Sequence, residues 1–135
     1  MFAIQKFSAM YELKVVTKFA AAHQLTMVGS KCENQHGHNW KIEVYVSGAN
    51  TDGAGVLLDF GVIKKHVREI MSMLDHKYLN ELDCFQHSQP SSENIAYFVA
   101  TELQKRIDNQ SVSLSKVTAW ESDDAAATYI VDQTQ

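Results

Sequence analysis

Residues 36–46 alternate between an apolar and a polar series, and this alternation constrains the fold more than any other feature of the chain. The even positions, which share one side, are His36, His38, Trp40, Ile42, Val44 and Val46. Alternation is typical of a β-strand with one buried face, because successive side chains point to opposite sides. Residues 13–23 repeat the pattern at odd positions, from Leu13 to His23. The sequence therefore predicts two strands whose apolar faces each carry histidine at one end.

Two helices are expected after these strands. Apolar residues recur at helical spacing over 62–74, and Asp59 stands where an N-cap residue is needed. The segment PSSEN at 90–94 predicts the start of a second helix, which Ser91 or Ser92 can cap.

Turn chemistry and further alternation predict the remaining strands. The glycine-rich segment TDGAG at 51–55 favours a turn, so VLLDF at 56–60 is expected to return as a hairpin arm. Two more strands are predicted at 112–121 and 127–131. The order of strands and helices indicates an α+β fold with an antiparallel sheet.

Length and composition exclude several classes of protein. A chain of 135 residues, 45% hydrophobic and 21% charged, is typical of one globular domain spanning 1–135, with residues 1–9 as a loose extension. The formal net charge of −4 and the lack of a basic cluster argue against nucleic-acid binding. No apolar run approaches the ~20 residues of a membrane span, and no signal peptide is recognised. Two cysteines, Cys32 and Cys84, form no disulfide framework, so a reducing, cytoplasmic location is expected.

The histidines predict a metal site. His36 and His38 share the apolar face of their strand, and His23 ends the apolar face of the other. A lone histidine on such a face is more often a core residue, but three histidines on one interior side form the ligand set of a catalytic zinc. The absence of carboxylates from this set favours zinc over magnesium or calcium, although other late first-row metals would also bind.

Cys32 lies four residues before His36, and this spacing leaves two roles open. As a fourth ligand, Cys32 would close the site and make it structural. Away from the metal, it would be a thiol beside a bound substrate, with its thiolate favoured by the nearby positive charge.

Six short motifs in a fixed order resemble one family. They are FAAAH (19–23), C-x3-HGHNW (32–40), LLDF (57–60), LDHKYLN (74–80), PSSENIA (90–96) and WES (120–122). Each alone would be weak, but the ordered set, covering about residues 11–131, resembles the 6-pyruvoyl-tetrahydropterin synthase and 6-carboxytetrahydropterin synthase family. Serine replaces the family's usual threonine in PSSEN and in WES, and each substitution keeps a hydroxyl group.

The resemblance implies roles for individual residues. His23, His36 and His38 match the ligands of one Zn²⁺ per subunit, and Cys32 matches a catalytic thiol that accepts a proton. Asp75 and His76 match a pair in which the histidine shuttles a proton. Glu121 matches the carboxylate that anchors the pterin ring, and Glu93 and Ser92 match residues that contact the substrate.

The spacing of three residues between Cys32 and His36 resembles that of the bacterial 6-carboxytetrahydropterin synthases of the queuosine pathway, whereas the biopterin-forming branch of the family usually has a longer gap. The implied activity is that of a zinc-dependent lyase, 6-carboxy-5,6,7,8-tetrahydropterin synthase, which converts 7,8-dihydroneopterin triphosphate into 6-carboxytetrahydropterin, acetaldehyde and triphosphate. Three alternatives stay open: the biopterin-forming 6-pyruvoyl synthase, a non-catalytic zinc- or pterin-binding domain, and a zinc hydrolase. A hydrolase would leave Cys32 and Glu121 without a role.

The resemblance also implies an assembly. The family has the tunnelling fold, a four-stranded antiparallel sheet with two helices on one face. Three subunits join their sheets into a barrel, and two barrels stack as a hexamer, which would cover the exposed edges of the sheet. The active sites would lie between subunits, and either Glu121 or the pair Asp75 and His76 could come from a second chain.

Overall fold

A computed structural model of the chain describes residues 9–26 and 34–131. Its elements, in chain order, are β1 (Tyr11–His23), β2 (His36–Gly48), α1 (Phe60–Ser72), β3 (Lys77–Tyr78), α2 (Ser92–Ile107), β4 (Val112–Ser122) and β5 (Ala125–Ile130). Two short 3-10 turns, Leu79–Glu81 and Asp83–Phe85, join β3 to α2. Within this part of the chain, no helix combines the length and the apolar character needed to cross a membrane.

The described residues form a sheet of five strands in the order β3-β1-β2-β4-β5. The pairs β1–β2, β2–β4 and β4–β5 are antiparallel, whereas β3 runs parallel to β1. The expected four-stranded antiparallel sheet is therefore wrong in strand number and in being purely antiparallel. The additional strand is two residues long, Lys77–Tyr78, and begins where the His76 N–H donates to the Ala20 carbonyl at 2.7 Å. Two residues are too few for alternation to reveal a strand.

The predicted hairpin arm at VLLDF is also wrong. The Asp52 carboxylate accepts hydrogen bonds from the Ala54 and Val56 amides and closes a turn without forming a strand pair. Asp59 then caps α1 by accepting from the Gly61 amide at 2.8 Å, so the last residue of VLLDF already belongs to the helix. The side chains at 57 and 58 are partly buried against the core and account for the apolar character of this segment.

Both helices pack on one face of the sheet, as expected. The apolar face of β2 contributes Trp40, Ile42, Val44 and Val46, all fully buried. The helices cover this face with side chains that include Ile63, Ile70, Ile95 and Leu103. α2 begins with Ser91 as its N-cap, whose hydroxyl accepts from the Asn94 amide at 3.1 Å. The helices thus cover the same face of the sheet that carries the three histidines at its end.

Candidate metal centre and substrate site

Three imidazoles converge where β1 ends and β2 begins. His23 and His36 are cross-strand partners in the β1–β2 register, and His38 lies two residues further along β2 on the same face. The Nε2 atoms of His23 and His36 are 3.1 Å apart. The His23 side chain is fully buried, whereas those of His36 and His38 remain partly accessible. The cluster is therefore buried at His23 and has an open side at His36 and His38.

Glu121 reaches the same point from β4. Its Oε1 atom lies 2.9 Å from the Nε2 of His38, 3.5 Å from that of His23 and 3.7 Å from that of His36. The four candidate ligand atoms all lie within 4.8 Å of one another. Glu121 can therefore act in two ways, as a fourth metal ligand or as the carboxylate that holds a substrate beside the metal.

Backbone carbonyls determine which nitrogen of two imidazoles faces the cluster. His23 Nδ1 donates to the Pro90 carbonyl and His36 Nδ1 donates to the Asn34 carbonyl, each at 2.7 Å. Because a carbonyl oxygen only accepts, each Nδ1 carries the hydrogen, and each neutral imidazole presents an Nε2 lone pair. Such hydrogen bonds orient metal-binding histidines in known sites.

These lone pairs make the cluster suitable for a cation. Two Nε2 lone pairs at 3.1 Å repel each other, and the Glu121 carboxylate adds negative charge beside them. A proton could bridge one pair of nitrogens, but three nitrogens and an oxygen converge here. Tetrahedral zinc with bonds of about 2.0–2.1 Å places its ligand atoms roughly 3.4 Å apart. The distances from Glu121 Oε1 to the three Nε2 atoms, and between the Nε2 atoms of His23 and His36, lie on both sides of that value. His23, His36, His38 and Glu121 could hold a metal ion.

Cys32 lies outside the described residues. Its predicted role as a base near the metal, and the alternative of a fourth ligand, both remain predictions.

The start of α2 contributes a hydroxyl to the site. The Ser92 Oγ donates to Glu121 Oε2 at 3.5 Å, so the carboxylate has one oxygen toward the imidazoles and the other toward the helix. Glu93 is exposed in the first turn of α2, and among the described residues no ion pair joins it to the cluster. The structure therefore brings Ser92, but not Glu93, to the predicted site.

Asp75 and His76 form a pair at the sheet edge and not within the cluster. The His76 Nδ1 is 2.9 Å from Asp75 Oδ2, and the His76 side chain is 82% exposed. Asp75 Oδ1 accepts from the Ala20 amide at 2.9 Å. This backbone hydrogen bond, together with the bond to His76, holds the pKa of Asp75 below its ordinary value. Within 9–26 and 34–131, no hydrogen bond or ion pair connects this pair to the three imidazoles.

A family model described as 6-pyruvoyl tetrahydropterin synthase matches residues 12–131. The chain belongs to the 6-pyruvoyl tetrahydropterin synthase family. The match runs from the second residue of β1 to the end of β5 and includes the strands that carry the imidazoles and Glu121.

Individual members of the family show the same likeness. A 6-carboxy-5,6,7,8-tetrahydropterin synthase of Synechocystis is 38% identical over 92 residues, which are 64% of this chain and 70% of that protein. Human 6-pyruvoyl tetrahydrobiopterin synthase is 32% identical over 127 residues, 91% of this chain and 85% of that protein. The solved structure of Caenorhabditis elegans 6-pyruvoyl tetrahydropterin synthase superposes with a TM-score of 0.82 at 25% identity, covering 95% of this chain and all of that one.

Proposed function

We propose that the chain is a zinc-dependent 6-carboxy-5,6,7,8-tetrahydropterin synthase of queuosine biosynthesis. It converts 7,8-dihydroneopterin triphosphate into 6-carboxytetrahydropterin and releases acetaldehyde and triphosphate. The observation that carries the proposal is the convergence of three imidazoles, two of them oriented by backbone carbonyls, and one carboxylate in a chain of this family. The short spacing between Cys32 and His36 and the likeness to the Synechocystis enzyme support the 6-carboxy branch.

His23, His36 and His38 would hold the zinc through Nε2. A zinc ion in this position supplies Lewis-acid polarisation of a hydroxyl-bearing side chain. The buried His23 ring, fixed by the Pro90 carbonyl, anchors the set, while the more accessible His36 and His38 leave room for substrate on the open side. The accessible side of the cluster would thus face the substrate side chain.

Glu121 is proposed to bind the pterin ring. A pterin presents an amino group and a ring N–H side by side, and one carboxylate can accept hydrogen bonds from both. The Ser92 hydroxyl at 3.5 Å from Glu121 Oε2 helps to hold the carboxylate toward the start of α2. Ring binding here would place the substituent of the ring beside the imidazoles.

Cys32, Asp75 and His76 are proposed to move protons. A thiol and an imidazole titrate close enough to neutral pH to accept and return protons on the substrate side chain. Asp75 holds one nitrogen of His76 at 2.9 Å and therefore orients the ring for transfer at the other nitrogen. Glu93 remains a proposed substrate contact.

The proposed enzyme works as a homo-hexamer, a dimer of trimers, in the cytoplasm. The exposure of His76 at the edge of the sheet supports an arrangement in which the pair Asp75 and His76 serves a site on a neighbouring chain. Glu121 would serve the site of its own chain, because it already lies beside the imidazoles of that chain.

A second candidate is 6-pyruvoyl tetrahydrobiopterin synthase, favoured by the human relative, whose alignment covers 91% of this chain. The test is mass spectrometry of the products formed from 7,8-dihydroneopterin triphosphate by zinc-loaded protein, with Cys32→Ala as the control. Acetaldehyde with 6-carboxytetrahydropterin supports the proposal. A 6-pyruvoyl product without acetaldehyde supports the second candidate, and no turnover supports a binding domain.

A further inference from the structure

Glu43 is a buried carboxylate that the proposed chemistry does not use. It lies on β2 between Ile42 and Val44, which face the helices, so its own side chain faces the opposite side of the sheet. Neither α1 nor α2, the two helices of the described residues, covers that side, yet Glu43 is only 6% exposed. A carboxylate at such a position requires partners that compensate for lost hydration.

The partners of Glu43 come from three strands. Its Oε1 accepts a hydrogen bond from the Trp120 indole N–H, and its Oε2 lies 3.2 Å from Lys14 Nζ. The Tyr45 hydroxyl donates to the same Oε2 at 3.4 Å. Lys41 Nζ lies 5.6 Å from the centre of the Trp120 ring. Trp120 is therefore fixed at its edge by a carboxylate and contacted across its face by a cation.

Trp120 immediately precedes Glu121, and the two residues differ in how they pair with the neighbouring strands of the sheet. The β2–β4 pairing ends with Lys41 opposite Trp120. On the other side, the β4–β5 register shifts between Trp120 and Ser122, so Glu121 falls in an irregularity without an assigned partner. Trp120 is thus the last residue that both neighbouring strands hold before Glu121.

We propose that Glu43 is a positioning residue for Glu121. Glu43 holds the Trp120 indole on the side of the sheet opposite to the helices and thereby fixes the end of β4. From there the Glu121 side chain turns to the helix-covered face, between the imidazoles and the Ser92 hydroxyl. The inference rests on the proposed role of Glu121 in binding the pterin ring. A purely structural Glu43 would affect folding without affecting ligand binding through Glu121.

The test measures binding of 7,8-dihydropterin to the zinc-loaded full chain by calorimetry. This probe has the ring edge that Glu121 would bind but lacks the hydroxyl-bearing side chain, so zinc contributes little to its affinity. Trp120→Phe removes the indole N–H, and Glu43→Met removes its acceptor at similar length. Each is expected to weaken binding roughly tenfold, because Glu121 loses its fixed position.

Two matched variants separate positioning from general loss of structure. Glu43→Gln keeps an oxygen that can accept from the indole, so it is expected to retain most of the affinity. Thr118 lies two residues before Trp120 on β4, and its hydroxyl forms an outward-facing hydrogen bond with that of Thr128 on β5; Thr118→Val removes this bond and should bind like the parent. Thermal unfolding identifies a variant that fails to fold; if Trp120→Phe does so, Glu43→Met carries the test.

The decisive comparison repeats Trp120→Phe in a Glu121→Ala chain. If Glu43 and Trp120 act through Glu121, Trp120→Phe has no further effect there. An equal loss in both backgrounds, or an equal loss with Thr118→Val, would overturn the inference. If Glu121→Ala weakens binding but Trp120→Phe does not, only the positioning inference fails. If Glu121→Ala itself leaves binding unchanged, the proposed role of Glu121 fails as well.

Discussion

The imidazole cluster and the Asp75–His76 pair are built in opposite ways. His23 is fully buried and oriented by a backbone carbonyl, whereas His76 is 82% exposed and forms an ion pair with Asp75. His76 also has a left-handed backbone, with φ at 59°, which is unfavourable for a residue with a Cβ atom. The hydrogen bonds of Asp75 and His76 to Ala20 hold that conformation in place.

This contrast supports the two different roles proposed for the two groups. The cluster gathers its donors within one chain and presents lone pairs to a common point, as a metal site requires. The His76 side chain is largely exposed at the sheet edge, so it is accessible to a group that approaches this edge. A shared active site, in which one chain holds the substrate and another supplies His76, would use both features.

The largest expected effect is that of Cys32→Ala. If Cys32 is the proposed proton acceptor, its loss should lower turnover by roughly three orders of magnitude or more, while the zinc content stays that of the parent. Steady-state kinetics and metal analysis on the same sample provide the measurement. Loss of zinc together with activity would place Cys32 in the metal site as a structural ligand.

His36→Ala should release the metal. Removing one of three imidazole ligands is expected to weaken zinc binding by about 100-fold or more, measured by competition with a chelator. His66→Ala is the matched control, because His66 is a partly buried histidine on α1 outside the cluster. Unchanged zinc affinity in His36→Ala would contradict the assignment of the cluster.

Mixing two inactive chains tests whether the pair serves another subunit. Cys32→Ala and His76→Ala are each expected to be inactive alone, and subunit exchange after mild dissociation should restore a measurable fraction of the activity. The reason is that some hybrid sites combine an intact Cys32 from one chain with an intact His76 from another. A fully active parent whose light-scattering mass equals one chain would rule out shared sites.

The smallest effect concerns the acid stability of the Asp75 pair. The Ala20 amide and His76 hold the folded pKa of Asp75 below its ordinary value of 3.8, so the stabilisation is fully present above pH 3.8. It is lost as the pH falls further, through the lower folded pKa. The difference in unfolding free energy between the parent and Asp75→Asn should therefore shrink below pH 3.8. A difference that stays constant down to pH 2 would show that the hydrogen bond to Ala20 does not depend on charge.

The two long strands and the helix caps could be predicted because their signals are local. Alternation with a period of two placed His23, His36 and His38 on one face, and the structure gathers them at one end of it. Asp59 capped its helix as expected from residue type and position. These features depend on neighbours in sequence, which periodicity and capping preferences report directly.

Contacts between distant segments were not predictable in the same way. The family resemblance gave Glu121 a role in the site, but its closeness to His38 depends on β4 lying beside β2 in the sheet. The strand Lys77–Tyr78 exists because the chain returns to the edge of β1, which no local pattern shows. Strand order and register are set by tertiary packing, and they cannot be predicted from a single sequence.

X-ray absorption at the zinc edge tests the central claim, a zinc held by three histidines, most directly. Measured on the purified parent protein, the spectrum should show imidazole scattering from three histidines and only nitrogen or oxygen neighbours at about 2.0–2.1 Å. A sulfur neighbour at about 2.3 Å would identify Cys32 as a ligand. That result, or a spectrum without imidazole scattering, would contradict the account.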